Sequence, residues 1–120
     1  MTVVAYALAV VLNLFILFIG ARFLLQPYAA AAGYGIPATT DRAYLEIKGL
    51  RDATFGIVGL TLLAFAGADA AAWFMLAVAV APLGDTVIVL RHGGRKAVAF
   101  GVHFATAVVV LISAGLLFAV

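Results

Sequence analysis

Apolar residues fill most of the chain, and the few polar and charged positions divide it into four long apolar runs. Each run is close to the roughly 20 residues that an α-helix needs to cross the hydrocarbon core of a bilayer. The runs cover about residues 3–25, 44–66, 70–90 and 97–119. The pattern predicts an all-α polytopic membrane protein, a four-transmembrane-helix bundle that forms a single domain over residues 1–120.

The connections between the runs carry recognisable boundary signals. Pro27 ends the first helix, and Thr39-Thr40-Asp41 is typical of an N-cap before the second. The segment 28–40 between them is too apolar for a solvated loop. We predict a short interfacial helix there, with Tyr28 and Tyr34 anchored among the lipid headgroups. The alternative is that this segment forms a lid over a site.

The composition agrees with this class of protein. The chain is 68% hydrophobic and 10% charged, whereas a soluble domain is nearer half apolar and a quarter charged. There is no cysteine, which excludes disulfides, thiolate metal ligands and cysteine nucleophiles.

The basic residues are distributed unevenly between the two ends of the predicted bundle. All seven lysines and arginines belong to the end that carries the first and third connections. The positive-inside rule places these connections in the cytoplasm and both termini outside, in the plasma (inner) membrane. Membrane topology thus explains the net charge of +2, and no nucleic-acid partner is predicted.

Four polar residues from three predicted helices fall at a similar depth in the membrane. Arg51 and Asp52 lie a few turns into the second helix, Asp85 lies near the end of the third, and His103 lies near the start of the fourth. At 1.5 Å per residue, all four are on the order of 7–15 Å from the cytoplasmic ends. We predict that they form a buried catalytic site.

Four further residues are predicted to bind a substrate. Lys48 and Phe55 share one side of the second helix with Asp52, given 3.6 residues per turn. Asn13 lies in the middle of the first span, where it can form the floor of a cavity, although an interhelical hydrogen bond is the simpler role. Tyr34 belongs to the connection that would cover the site.

Structural roles compete with the catalytic ones. Asp52 can be neutralised by Arg51 so that the helix inserts, and Asp85 can bridge to Lys96 or Arg91. His103 can be a hydrogen-bonded packing residue. Together, however, two carboxylates, an imidazole and a guanidinium in a dry layer form an acid–base set whose pKa values are driven apart by burial and by neighbouring charge.

Several short elements resemble a known family. These elements are Arg22-Phe23-Leu24 through Pro27, Gly33-Tyr34-Gly35-Ile36-Pro37, Gly49-Leu50-Arg51-Asp52, Pro82-Leu83-Gly84-Asp85 and His103. They are similar to those of small four-helix membrane proteins from bacteria and fungi, catalogued as a domain of unknown function, over nearly the full length. The resemblance implies that Arg51, Asp52, Asp85 and His103 share a site, and it implies no particular activity.

The first functional hypothesis is an enzyme that uses no cofactor. A lipophilic small molecule would enter from the membrane lipids, Asp52, Asp85 and His103 would move protons, and Arg51 would hold an oxygen or fix Asp52. Isomerisation, cyclisation and epoxide opening fit this set. A metal site on the two carboxylates and the imidazole is disfavoured because Arg51 lies beside it, so no metal is predicted.

Two other hypotheses remain open. In a proton-coupled small-molecule transporter, Asp52 or Asp85 would alternate between a proton and a cationic substrate, and four helices in so short a chain suit a homodimer. In an accessory membrane subunit, the polar layer would instead pair with another membrane protein.

Overall fold

The computed structural model describes all residues, 1–120, as an all-helical chain without strands. We number five helices: α1 (Thr2–Leu25), α2 (Pro27–Tyr34), α3 (Arg42–Phe65), α4 (Ala68–Arg91) and α5 (Lys96–Phe118). The predicted all-α class is confirmed, and the long helices begin and end within a few residues of the predicted bounds.

The short helix α2 is set by proline at one end and glycine at the other. Gln26 adopts a non-helical conformation before Pro27, which starts α2 at a position where its missing N–H is not needed. Gly35 ends the helix with a φ of 100°, a left-handed conformation that glycine adopts without strain. These two breaks fold α2 back over the end of the bundle.

Proline also interrupts α4. The helix consists of two α-helical pieces, Ala68–Val78 and Val80–Arg91, that meet at Ala79. Pro82 has no N–H to donate to the carbonyl of Val78, so the regular hydrogen-bond ladder is broken at this point. Pro82 lies three residues before Asp85 on the same helix.

The helix α5 contains a π-helical segment, Ala99–Phe104, which the sequence pattern does not predict. A π turn holds more residues than an α turn and therefore changes which side chains face the bundle. Such turns often occur at functional sites, and this one carries His103.

A cluster of buried side chains lies at the end of the bundle that holds both termini. Small side chains dominate there and allow the helices to approach each other. The buried cluster consists of Ala5, Ala9, Leu63, Ala71, Ala72, Met75, Ala79, Val110, Ala114 and Leu117. We call it the alanine core, and it closes this end of the bundle.

Helices α1 and α3 are antiparallel and in direct backbone contact. A Cβ atom added to Gly49 would lie 2.7 Å from the carbonyl oxygen of Gly20 and 2.8 Å from the Cβ of Phe23. A Cβ at Gly56 would similarly meet the backbone of Asn13 at 2.6 Å. Glycine is therefore required at these positions by the close approach of the two helices.

Three helices, α1, α4 and α5, are long and apolar enough to cross a membrane. The helix α3 has the same length as α1, but it carries five charged residues in its first half. Large apolar side chains are exposed around the bundle, including Phe18, Phe65 and Trp73. Burial in lipid explains this surface, since a soluble protein rarely exposes so much contiguous apolar area.

Candidate functional site

A cavity of about 200 Å³ lies between the helices, on the side of the alanine core that faces α2. All five helices contribute to its lining, which is mostly hydrophobic. Asn13 lies at the deeper end, and the polar residues Tyr34, Asp85 and His103 lie at the end covered by α2. The cavity thus joins an apolar chamber to a polar cluster.

Tyr34 reaches from the last turn of α2 into this cluster. Its hydroxyl donates a hydrogen bond to Oδ2 of Asp85, and its ring packs edge-on against Phe23 with centroids 5.6 Å apart. Burial, followed by the negative charge of Asp85, raises the pKa of the Tyr34 phenol far above its ordinary value. The hydroxyl therefore stays protonated and acts as a donor.

His103 joins the same residue from the opposite side. Its Nε2 lies 2.7 Å from the backbone oxygen of Tyr34, and the two rings are 4.2 Å apart. Because a carbonyl oxygen only accepts, Nε2 must carry the proton. The other ring nitrogen, Nδ1, has no hydrogen-bond partner within the protein. Nδ1 is thus available to a molecule in the cavity, which His103 lines.

Lys48 and Asp52 form an ion pair beside the tyrosine. The distance from Lys48 Nζ to Asp52 Oδ2 is 2.5 Å, across one turn of α3. The ammonium also lies over two aromatic rings, 4.1 Å from the centroid of Tyr34 and 4.3 Å from that of Phe23. Such cation–π contacts fix the position of both rings. Lys48 therefore links Asp52 on α3 to Tyr34 on α2.

Arg22 is a further cation at the cavity. It lies in the last turn of α1, is partly buried and lines the cavity wall. The ion pairs of the protein are Arg42–Glu46 and Lys48–Asp52, so Arg22 has no acidic partner.

Asn13 takes both of the roles considered for it. Its Nδ2 donates to the carbonyl oxygen of Ala9 at 2.8 Å and lies 3.6 Å from the sulfur of Met75 on α4. The side chain also packs directly against Gly59 of α3. It is 3% exposed and lines the cavity, so one amide connects three helices and forms the floor.

The structure brings seven of the eight predicted site residues together, and Arg51 is the exception. Six of them line the cavity: Asn13, Tyr34, Asp52, Phe55, Asp85 and His103. Lys48 contacts two of these six, Asp52 and Tyr34. The side chain of Arg51 is exposed and is not part of the lining. One residue is a rotation of about 100° on an α-helix, which turns Arg51 away from the face of Asp52.

Three expected contacts differ from the structure for related reasons. Asp52 pairs with Lys48, one turn earlier, and not with the adjacent Arg51. Asp85 accepts from Tyr34 and has no basic partner in the turn 91–96. Tyr34 points into the bundle and so is not a headgroup anchor, which favours the lid arrangement of α2.

Sequence reasoning missed Arg22 as a site residue. The available signal was its helical spacing, because Ile16, Ile19 and Arg22 follow one another at intervals of three and all line the cavity. Asp52, Asp85 and His103, which were considered as metal ligands, do not form a group with the spacing of a metal site.

The fold defines a small, helical protein of the membrane type. The chain belongs to the family described as Domain of unknown function (DUF4267), whose model matches residues 13–117. The resemblance noted in the sequence is thereby confirmed as family membership. A comparison with curated proteins gave no match, and a comparison with solved structures gave none either.

Proposed function

We propose that the protein is a membrane enzyme that catalyses cofactor-free proton transfer on a small lipophilic substrate. One observation carries the proposal: a mostly apolar cavity ends at a carboxylate and an imidazole that both contact the same tyrosine, Tyr34. A convergent polar group at the end of an apolar cavity is the usual form of a small-molecule site.

Asp85 is the proposed base. Tyr34 holds one of its carboxylate oxygens, and the other oxygen has no partner and is free to take a proton from the substrate. Nδ1 of His103 is the second proton-accepting position, on the other side of the same tyrosine. In an isomerisation the proton removed from one carbon returns to another, so no cofactor is consumed. General acid–base groups of this kind typically contribute about 10²- to 10⁴-fold in rate.

The ion pair of Lys48 and Asp52 has a positioning role in this proposal. Because Lys48 lies over the rings of both Tyr34 and Phe23, it holds the tyrosine at Asp85. Asp52 keeps Lys48 in place through the 2.5 Å contact and adds a second carboxylate to the cavity wall.

Access from the bilayer fits the lining of the cavity. Phe15, Phe55 and Val102 line it and are also at least 40% exposed on the apolar exterior of the bundle. A lipophilic substrate dissolved in the membrane lipids therefore reaches the site without crossing water. The alanine core closes the other end, which favours an enzyme over the proton-coupled transporter, since a transporter needs a path to both sides.

The test is turnover in detergent without a gradient. We expect the purified protein to convert a lipophilic probe from one of two classes, with products followed by gas chromatography. The probes are cyclohex-3-enone, which isomerises to its conjugated form, and limonene oxide, which opens with water. Asp85→Asn should lower kcat/KM by about 10²- to 10⁴-fold.

A matched control is available on the same helix. Asp69→Asn removes an exposed acid at the other end of α4 and should leave turnover unchanged. Equal loss in both variants would contradict the role of Asp85. Absence of turnover with both probes, combined with uptake into sealed vesicles driven by a pH gradient, would support the transporter instead.

A further inference from the structure

Arg22 differs from every other basic residue of the protein. Five of the seven lysines and arginines are exposed: Arg42, Arg51, Arg91, Arg95 and Lys96. The two that are partly buried are Lys48, which Asp52 neutralises, and Arg22, which has no acidic partner. Arg22 is thus the partly buried cation whose charge the protein leaves uncompensated.

An uncompensated guanidinium in this position is unfavourable unless something pairs with it. Burying a charge without a partner is unfavourable, and an anion or good hydrogen-bond acceptors remove this penalty. An arginine near the end of a membrane helix can also extend to the lipid headgroups. Arg22, however, lines the cavity together with Ile19 and Tyr34, so its side chain is at the chamber in which a ligand would lie.

The size of the chamber limits the ligand further. An apolar cavity of about 150 Å³ binds benzene, so the roughly 200 Å³ here accommodates one ring or a short hydrocarbon chain. The floor at Asn13 closes the far side. A longer chain would have to extend out past the exposed side chains of Phe15 or Phe55 into the bilayer.

We infer that Arg22 binds the anionic headgroup of a small amphiphile whose hydrocarbon part occupies the chamber between Asn13 and the Tyr34–Asp85–His103 cluster. A guanidinium pairs with carboxylate or phosphate through two parallel hydrogen bonds, which makes it selective for a planar or tetrahedral oxyanion over a neutral hydroxyl. The small anionic amphiphile is thus the substrate class of the proposed site. Its conversion rests on the proposed function, whereas its binding does not.

The test compares two probes of equal chain length, octanoate and octanol. Their binding to the protein in phosphatidylcholine nanodiscs is measured by titration calorimetry. The wild type should bind octanoate more tightly than octanol. Arg22→Gln should weaken octanoate by about 10- to 100-fold, the range that one charge-assisted interaction gives, and leave octanol unchanged. Arg22→Lys keeps the charge without the planar fork, so its affinity for octanoate should lie between those of the wild type and Arg22→Gln.

Arg91→Gln is the matched control, because it removes an exposed and unpaired arginine at the same end of the bundle. It should leave both affinities unchanged. If Arg22→Gln keeps the preference for octanoate, or weakens both probes equally, the inference is wrong. The readout needs no turnover, so binding without catalysis would remove the proposed function and leave this assignment in place.

The anion has two possible sources, and the nanodisc lipid distinguishes them. Replacing part of the phosphatidylcholine with phosphatidylglycerol should leave octanoate binding unchanged if a free amphiphile is the ligand. Competition by phosphatidylglycerol, lost in Arg22→Gln, would assign the anion to a lipid phosphate. Either result supports an oxyanion at Arg22, whereas competition that persists in Arg22→Gln would contradict it.

Discussion

At the scale of single residues, Tyr34 connects the parts of the site. Its hydroxyl donates to Asp85, its backbone oxygen accepts from His103, and its ring lies under Lys48. A short helix outside the long apolar runs therefore supplies the residue on which three long helices converge. The contribution of this one side chain can be measured by removing its oxygen atom.

Tyr34→Phe keeps the ring and deletes the donor to Asp85. Because the carboxylate is left without its partner in a partly buried site, we expect the free energy of unfolding to fall by about 1–3 kcal/mol. Tyr28→Phe, on the exposed side of the same helix, should change it by less than about 0.5 kcal/mol. Denaturation in detergent checks both variants, and equal stabilities would contradict the hydrogen bond.

The raised pKa of Tyr34 gives a pH dependence with a definite sign. The folded protein holds this proton more tightly than the unfolded chain, whose tyrosine has the ordinary value of 10.0. The stabilising contribution is therefore complete below pH 10 and is lost as the pH rises above it. Between pH 8 and pH 11 the stability advantage of the wild type over Tyr34→Phe should shrink by about 1 kcal/mol. A stability difference between the two proteins that stays constant with pH would contradict a raised pKa of Tyr34 in the folded protein.

At the scale of the elements, glycine pairs and helix irregularities determine where the site residues face. Gly49 and Gly20 allow α1 and α3 to touch, which places Phe23 beside Lys48. The break at Ala79 and the π-helical segment 99–104 lie in the helices that carry Asp85 and His103. Of these two irregularities, the break in α4 is marked in the sequence by Pro82. No residue of the π-helical segment marks it in the sequence.

Gly49→Ala tests the contact between α1 and α3. The added Cβ would lie within 2.9 Å of atoms of Gly20, Phe23 and Leu24, so the helices must separate, at a cost of about 1–3 kcal/mol. Gly84→Ala is the control, since a Cβ there meets nothing within 4 Å. Unfolding by sodium dodecyl sulfate, followed by circular dichroism, compares the two. A stable Gly49→Ala variant would mean that the helices do not approach this closely.

At the scale of the whole molecule, the bundle has the dimensions and charge distribution of a membrane domain. Its long axis measures 44 Å, close to the roughly 40–45 Å of a bilayer with its headgroups. Three helices are apolar enough to cross. On α3, which is not one of these three helices, Lys48 and Asp52 neutralise each other as an ion pair.

The predicted topology can be tested with single cysteines, because the natural chain has none. His92→Cys, in the turn after α4, should react with a membrane-impermeant maleimide from the cytoplasmic side. Asp69→Cys, at the start of α4, should react from the outside. Both sites are exposed, so reactivity reports sidedness. Labelling of both cysteines from one side of intact cells would show that α4 does not cross as predicted.

The sequence by itself determined the all-helical class and the approximate bounds of the long helices, and it predicted that Asp52, Asp85 and His103 lie at a similar depth. These features depend on local properties: apolar run length, breaker residues and the fixed rise of an α-helix. Tertiary structure decided which side chains meet. It paired Asp52 with Lys48, turned Tyr34 inward to Asp85, excluded Arg51 and added Arg22. Such contacts depend on how each helix is rotated about its axis and on how α2 folds back. Adjacent residues on a helix face different directions, so a shift of one position is enough to change a contact.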